Sequence, residues 1–226
     1  MLLTTPDHKK IHSMLTAQNT LNRVVNEGWI HAKYAWHRAI MVEAVEALEH
    51  YGWKWWKLQI SDMDQVKMEL VDIWHFILSK LIEKNGRVND HLVESIIADI
   101  KIAIEDNNGA ILNQYKNLST HEKFDRLICG ASKNEVYLLS ECGLAFFALM
   151  TDLDMSFDEL FILYTGKCVL NTLRQNHGYK NGTYQKYWID QEDNVHVISI
   201  IRNNLDLSAD QLYFLVEQRY KSCVIK

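Results

Sequence analysis

The sequence contains a single proline, Pro6, and only nine glycines in 226 residues. Both counts lie below average usage, and the proline count lies far below it. Because proline and glycine most often interrupt regular structure, their scarcity permits long uninterrupted segments. Hydrophobic residues make up 48% of the chain, which is enough apolar material for a packed core. The composition therefore favours an all-α fold over a turn-rich β fold.

Apolar residues recur with helical periodicity along most of the chain. Gly28 and Gly52 mark the ends of the first two predicted helices, and Ser61 or Asp62 can cap the third. We predict one all-α domain over residues 1–226, a helical bundle core with a variable helical insert at about 87–134. The predicted helices cover about 7–27, 32–51, 62–84, 135–151, 156–177 and 207–221, and the helical segments between 88 and 134 are broken at 107–109 and around 117–134.

Charge and cysteine usage exclude several classes of partner. A formal net charge of −5 argues against a long nucleic acid, because general nucleic-acid binders are usually basic. No stretch approaches the roughly 18 apolar residues that a membrane span requires, and the N-terminal apolar run is too short for a signal peptide. The four cysteines lack C-x-x-C spacing, which is typical of reduced cytosolic thiols. We therefore expect a soluble, cytoplasmic protein without a membrane partner.

Two pairs of acidic residues carry the strongest chemical signal. Each pair has i, i+3 spacing, which places both carboxylates on one face of a helix. A pair with this spacing more often lies on a solvent-exposed helix surface. Here, however, both helical segments that carry the pairs have apolar residues on almost every side. Carboxylates directed into a core are costly unless cations compensate them. The pairs are Glu43 with Glu46, within AIMVEAVEAL, and Glu69 with Asp72, within MELVDIWHFIL.

The type of ligand selects the metal. Four carboxylates without a thiolate favour hard cations such as Mg²⁺ or Mn²⁺. The nearest competitor is a di-iron bundle, which needs Glu-x-x-His twice. Asp72-x-x-His75 approximates that motif once, and the other helix offers no counterpart.

A basic set follows in the last third of the chain. Lys167, Asn171 and Arg174 have i, i+4, i+7 spacing, so they lie on one stripe of the predicted helix. A point charge, an amide and a planar bidentate donor suit phosphate oxygens. Gly178 and Gly182 would allow the following loop to close over a ligand. The alternative interpretation is an ordinary amphipathic helix with a basic exposed edge.

Taken together, these residues resemble the dimeric all-α dUTP diphosphatases (dUTPases) of the all-α NTP pyrophosphatase superfamily. The resemblance covers residues 15–80 and 157–195, and the superfamily mark is ExxE followed by ExxD on the next helix. The narrower motifs are Q-x-x-x-N (Gln18, Asn22), W-x-R (Trp36, Arg38), W-K-x-W-K (53–57), E-x-V-D-I-W-H-F (69–76), G-K-x-x-L-N-x-x-R-Q-x-x-G-Y-K-x-G-x-Y-x-K (166–186) and E-D-N (192–194).

The resemblance implies a role for each group of residues. The four carboxylates would bind two or three Mg²⁺ ions, with Mn²⁺ as a possible substitute, and Gln18 and Asn22 would bind the pyrimidine edge. A wall around base and deoxyribose would leave no room for a 2′-hydroxyl at Phe76. The wall residues would be Trp56, His75 and Phe76, and the residues that hold the phosphates would be Lys167, Asn171, Arg174, Tyr179, Lys186 and Asn194.

We expect a water to attack in line at a phosphorus, with Glu46 orienting or deprotonating it, although Glu43 lies one turn away. Lys167 and Arg174 would stabilise the leaving phosphate. The resemblance suggests attack at the β-phosphorus, so dUDP would also be a substrate, and it implies a homodimer. Because amides can present a donor or an acceptor, a dCTPase or a dual dCTPase/dUTPase remains an alternative. A rival of another class is a non-catalytic helical interaction protein.

Overall fold

The structure, a computed structural model, describes residues 3–105, 110–204 and 207–224. Within these ranges the regular secondary structure is helical apart from one short hairpin, which confirms the all-α prediction. The predicted break at 107–109 lies outside the described residues. The helices are α1 (His8–Val25), α2 (Trp36–Tyr51), α3 (Met63–Asn85), α4 (Asp90–Glu105), α5 (Ala110–Asn113), α6 (Thr120–Ser132), α7 (Glu141–Asp152), α8 (Phe157–Asn176), α9 (Asp193–Arg202) and α10 (Ala209–Val224), and the strands are β1 (Tyr187–Trp188) and β2 (Gln191–Glu192).

The chain divides into two compact units, unit 1 (Met1–Leu160) and unit 2 (Phe161–Lys226), and the division falls within α8. Among the helices of the described ranges, none combines the length and the apolar character that a bilayer crossing requires. The assignment of residues 87–134 as an insert into a single domain stays a prediction.

Unit 1 is organised around α3. This helix is buried at nearly every turn, as expected for a helix that is apolar all round. Trp74 stacks on Phe146 of α7, with ring centroids 5.5 Å apart. Gly52 ends α2 with a φ of 92°, and the Asp62 side chain caps α3 by accepting a bond from the backbone N–H of Gln65. The chain therefore reverses between α2 and α3, which pack as a helical hairpin.

Unit 2 has a core of its own, in which the C-terminal part of α8 packs with α9 and α10. Gly166 allows a close approach, because a Cβ atom there would lie 2.2 Å from Cδ1 of Ile201. The hairpin contributes Trp188, which is fully buried. The buried residues are Val169, Leu170, Leu173, Trp188, Val197, Ile201, Leu212, Val216 and Tyr220.

The predicted break around 117–134 is wrong, because this stretch contains α6. Ser119 and Glu122 form a reciprocal capping box at its start, and the S-x-x-E sequence signal for it was present. Gly130 lies inside the helix rather than ending it. A Cβ atom there would lie 2.5 Å from the backbone nitrogen of Cys142, so the glycine serves the close packing of α6 on α7.

Three other boundaries also differ from the sequence-based prediction. Helix α2 begins at Trp36 rather than near residue 32, because Trp29–His31 form a 3₁₀ turn and Lys33 has a φ of 50°. Helix α7 begins at Glu141 rather than near residue 135, because Ser140 is its N-cap. Helix α9 was not predicted, since no helix was expected between about residues 177 and 207.

Candidate active site

Three of the four predicted metal ligands converge in unit 1. Glu43 on α2 and Glu69 and Asp72 on α3 each offer a carboxylate oxygen, and these oxygens lie within 4.8 Å of one another. The i, i+3 spacing places the α3 pair on one helix face, and the reversal between α2 and α3 brings Glu43 opposite to it. Glu69 is buried, and the other two are partly buried.

Electrostatic repulsion within this carboxylate cluster is large enough to change a protonation state. Burial, followed by repulsion from Asp72 and Glu69, raises the pKa of Glu43 to about 9. Three acidic side chains in such a setting cannot all be ionised near neutral pH without compensating positive charge. Their oxygen-only donor set suits a hard divalent cation, so the residues fit the metal that the sequence predicts.

Glu46 occupies a different position from its three companions. Its side chain is exposed, and it is not part of the group whose oxygens converge. Its charge nevertheless contributes to the raised pKa of Glu43, so the two carboxylates interact electrostatically. Glu46 therefore lies on the solvent side of the cluster, and its role as metal ligand and catalytic base stays a prediction.

His50 is a residue near the cluster that the sequence reasoning missed. Its Nε2 lies 3.7 Å from Oε1 of Glu69. It follows Glu43 by two helical turns on α2, so an i, i+7 search from the acidic pair would have found it.

The predicted base-binding amides belong to a hydrogen-bonded network between α1 and α3. Gln18 is buried and donates from Nε2 to Oδ1 of Asn22 at 2.9 Å. Asn22 in turn donates from Nδ2 to Oγ of Ser79 at 2.9 Å. Gln18 Oε1 lies 2.5 Å from Nδ1 of His75. The structure thus joins Gln18, Asn22 and His75, and it adds Ser79, which the sequence reasoning did not single out.

The predicted wall residues lie on two different elements. Phe76, on α3, packs against Trp36 with ring centroids 6.2 Å apart. Trp56 lies on the α2–α3 connector (residues 52–62) and is 56% exposed. Its described ring contacts are to Trp53 and Trp55. The described contacts therefore do not bring Trp56 together with Phe76.

The predicted phosphate-binding residues of unit 2 are tied to the start of α9. Arg174 donates from Nε and from a terminal nitrogen to the two carboxylate oxygens of Asp193, both at 2.8 Å. The other terminal nitrogen donates to Oδ1 of Asn171 at 3.2 Å. Lys167 is buried and donates to Oδ1 of Asn194 at 3.1 Å. Four of the predicted residues are therefore linked in one arrangement.

Asp193 is the centre of this arrangement, and the sequence reasoning gave it no role. The carboxylate is fully buried and also accepts bonds from the Tyr184 hydroxyl and the Asn194 backbone N–H. The Tyr179 ring lies 5.6 Å from the Arg174 guanidinium. Lys186 pairs with Glu192 at 3.0 Å. Acidic partners thus compensate the positive charges of both Arg174 and Lys186. The predicted phosphate-binding set therefore carries less net positive charge than its residue types alone suggest.

The chain matches the model of a known protein family. A family model described as dUTPase matches residues 10–179, a range that includes all four predicted metal ligands and Lys167, Asn171 and Arg174. Lys186 and Asn194 lie beyond its end. No curated protein matches the chain.

The raised pKa of Glu43 predicts how stability changes with pH. Without divalent cations, the native state keeps a proton on Glu43 up to about pH 9, whereas the unfolded carboxyl loses it near pH 4 to 5. The unfolded state therefore binds fewer protons, and the free energy of unfolding falls between about pH 5 and 9, by at most ~1.4 kcal/mol per pH unit from this group. Denaturant titrations in EDTA measure this slope. Glu43→Gln should flatten it, and an equal slope in the variant would contradict the assignment.

Proposed function

This chain belongs to the all-α dUTPase family and hydrolyses dUTP, and we propose that it does so with Mg²⁺ held by Glu43, Glu69 and Asp72. The observation that carries the proposal is the convergence of their oxygens within 4.8 Å. Mn²⁺ has the same preference for oxygen and is the proposed substitute. We propose two or three ions per site, to which Glu46 would add a fourth carboxylate.

The proposed reaction is attack of a water in line at the β-phosphorus of dUTP, which gives dUMP and pyrophosphate. Bound cations would supply charge neutralisation and make hydroxide accessible near neutral pH. Glu46 is exposed and one helical turn from Glu43, so it can meet a water from bulk solvent and orient it or accept its proton. Attack at this phosphorus also makes dUDP a substrate, which would give dUMP as the leaving group and phosphate as the second product.

The unit 2 residues are proposed to hold the phosphates. Arg174 is a rigid fork whose two carboxylate contacts fix the plane of the guanidinium, and a fixed fork loses little entropy when it binds an oxyanion. The buried Lys167 ammonium donates to the Asn194 side-chain amide and supplies a positive charge. Asn171, Tyr179, Lys186 and Asn194 complete the proposed phosphate set.

We propose that Gln18 and Asn22 bind the uracil edge, and that Trp56, His75 and Phe76 surround the base and deoxyribose. The support is the position of His75 and Phe76 on α3, directly after the acidic pair of the same helix. Phe76 would exclude a 2′-hydroxyl.

The cysteines, which all lie in the described part of the chain, are free thiols, and this supports a cytoplasmic location.

The α2–α3 connector supports the proposal of a homodimer. Trp55, Leu58 and Ile60 are 89%, 88% and 90% exposed. The base of the connector is fixed, because Gln59 Oε1 accepts bonds from the backbone N–H groups of Trp53 and Lys54. An aromatic side chain buries up to about 250 Å², so this apolar surface would supply a part of the roughly 800 Å² that each partner contributes to a standard interface. A second copy of the chain is the proposed occupant.

Nucleotide hydrolysis tests the proposed reaction. Release of pyrophosphate from dUTP, dCTP, dTTP and UTP, and of phosphate from dUDP, is measured with Mg²⁺ and then with EDTA. We expect dUTP and dUDP to be preferred and EDTA to abolish turnover. Equal turnover of dCTP would assign a dual dCTPase/dUTPase, and turnover that resists EDTA would refute the metal dependence.

The same assay tests Glu46. Glu46→Gln should lower kcat by about 100-fold or more, the usual contribution of a general base, while the protein stays folded. Glu94→Gln, another exposed substitution but on α4, is the matched control and should leave kcat unchanged. Full activity of Glu46→Gln would remove Glu46 from the mechanism.

Light scattering coupled to size-exclusion chromatography tests the dimer. We expect the wild type to have the mass of two chains and Trp55→Ser/Ile60→Ser to have the mass of one, because the variant loses apolar surface at the connector tip. Phe214→Ser, which changes another exposed hydrophobic residue, should remain dimeric. A monomeric wild type, or a dimeric connector variant, would contradict the proposal.

A further inference from the structure

A closed ring of hydrogen bonds begins and ends at His75. Nδ1 of its imidazole contacts Gln18 Oε1, Gln18 Nε2 donates to Asn22 Oδ1, and Asn22 Nδ2 donates to Ser79 Oγ. The Ser79 hydroxyl then donates to the backbone carbonyl oxygen of His75, one turn earlier on α3, at 2.8 Å. Gln18, His75 and Ser79 are all buried, so bulk water does not replace these contacts freely.

The carbonyl of His75 sets the direction of every bond in the ring. A carbonyl oxygen only accepts, so the contact must use the single hydroxyl proton of Ser79. The Ser79 oxygen then has no proton left for Asn22 and must accept from its NH₂ group. The Asn22 oxygen therefore faces Gln18, which must present its own NH₂ group. The Gln18 oxygen is left facing Nδ1 of His75, which must carry a proton.

Without the Ser79 hydroxyl, the described contacts of Gln18, Asn22 and His75 are also compatible with the opposite direction. If both amides turned over, Asn22 Nδ2 would donate to Gln18 Oε1, and Gln18 Nε2 would donate to Nδ1 of His75. The imidazole would then carry its proton on Nε2, which is the other neutral tautomer. The Gln18–Asn22 and Gln18–His75 contacts would survive with their donors and acceptors exchanged. In this reversed state the Ser79 hydroxyl would have to donate to Asn22 Oδ1, so its bond to the His75 carbonyl oxygen would be lost, and that loss disfavours the reversed state.

We propose that Ser79 is a positioning residue that makes the enzyme prefer uracil over cytosine. Uracil presents a donor at N3 and an acceptor at position 4, and cytosine presents an acceptor at N3 and a donor at position 4. An amide held in one orientation complements only one of these two patterns, whereas an amide free to turn over complements both. The inference rests on the proposed binding of the pyrimidine edge by Gln18 and Asn22.

The kinetic test compares kcat/KM for dUTP and dCTP in the wild type, Ser79→Ala and Ser79→Cys. Ser79→Ala should lower the dUTP-to-dCTP ratio at least tenfold, because both amide orientations become populated. Ser79→Cys, which keeps a weak S–H donor, should recover part of the ratio and provides the comparison if the alanine variant does not fold. Thr151→Ala is the matched control, since Thr151 also donates to a carbonyl four residues earlier; its ratio should equal that of the wild type.

A spectroscopic test reads the direction of the ring without any substrate. Imidazole ¹⁵N shifts should show His75 with its proton on Nδ1 in the wild type and as a mixture of tautomers in Ser79→Ala. An active wild type whose ratio and tautomer are both unchanged in Ser79→Ala would overturn the inference and leave the proposed function standing. A wild type that hydrolyses no nucleotide would overturn both.

Discussion

Mutual repulsion among three carboxylates is the constraint on which the rest of this molecule depends. At 4.8 Å, the upper limit of the oxygen separations, two unit charges repel by about 3.5 kcal/mol at an effective dielectric constant of 20. That repulsion and burial keep a proton on Glu43, whose pKa rises to about 9. Holding these carboxyl groups together lowers the free energy of unfolding, and bound divalent cations would compensate their negative charge. The chemistry of dUTP hydrolysis needs the same cations, because the substrate carries its own negative charge.

In each unit, helix packing or hydrogen bonds to nearby residues hold the charged side chains in place. In unit 1, the α2–α3 hairpin fixes the carboxylate cluster, and the buried surface of α3 keeps that helix from turning about its axis. The same helix carries His75 and Ser79, so the hydrogen-bonded network around Gln18 and the carboxylate cluster are held by one helix. In unit 2, the buried carboxylate of Asp193 gathers Arg174, Tyr184 and the start of α9, and the loop after α8 is tied to that helix.

Features that depend on residue spacing within one helix could be predicted from the sequence. Contacts between segments that are distant along the chain could not. Glu69 and Asp72 were recognised because their i, i+3 spacing lies within one apolar helix. The pairing of Arg174 with Asp193 spans 19 residues and a hairpin, so no periodicity reveals it. Glu46 was expected to join Glu43 in the cluster, but its side chain is exposed. Asp72 has the same spacing from Glu69 and does reach the cluster, so i, i+3 spacing alone does not decide which carboxylates converge. A break was predicted around residues 117–134, and the close packing of Gly130 on Cys142 was not foreseen because Cys142 belongs to another helix.

Calorimetric titration with Mg²⁺ near pH 7.5, in buffers of different ionisation enthalpy, tests the central claim most directly. The account predicts saturable binding with release of about one proton, because a cation displaces the proton from Glu43. Asp72→Asn should abolish or greatly weaken that binding, while Glu94→Gln should not change it. Absence of binding by the wild type, or binding of equal affinity in Asp72→Asn, would contradict the account.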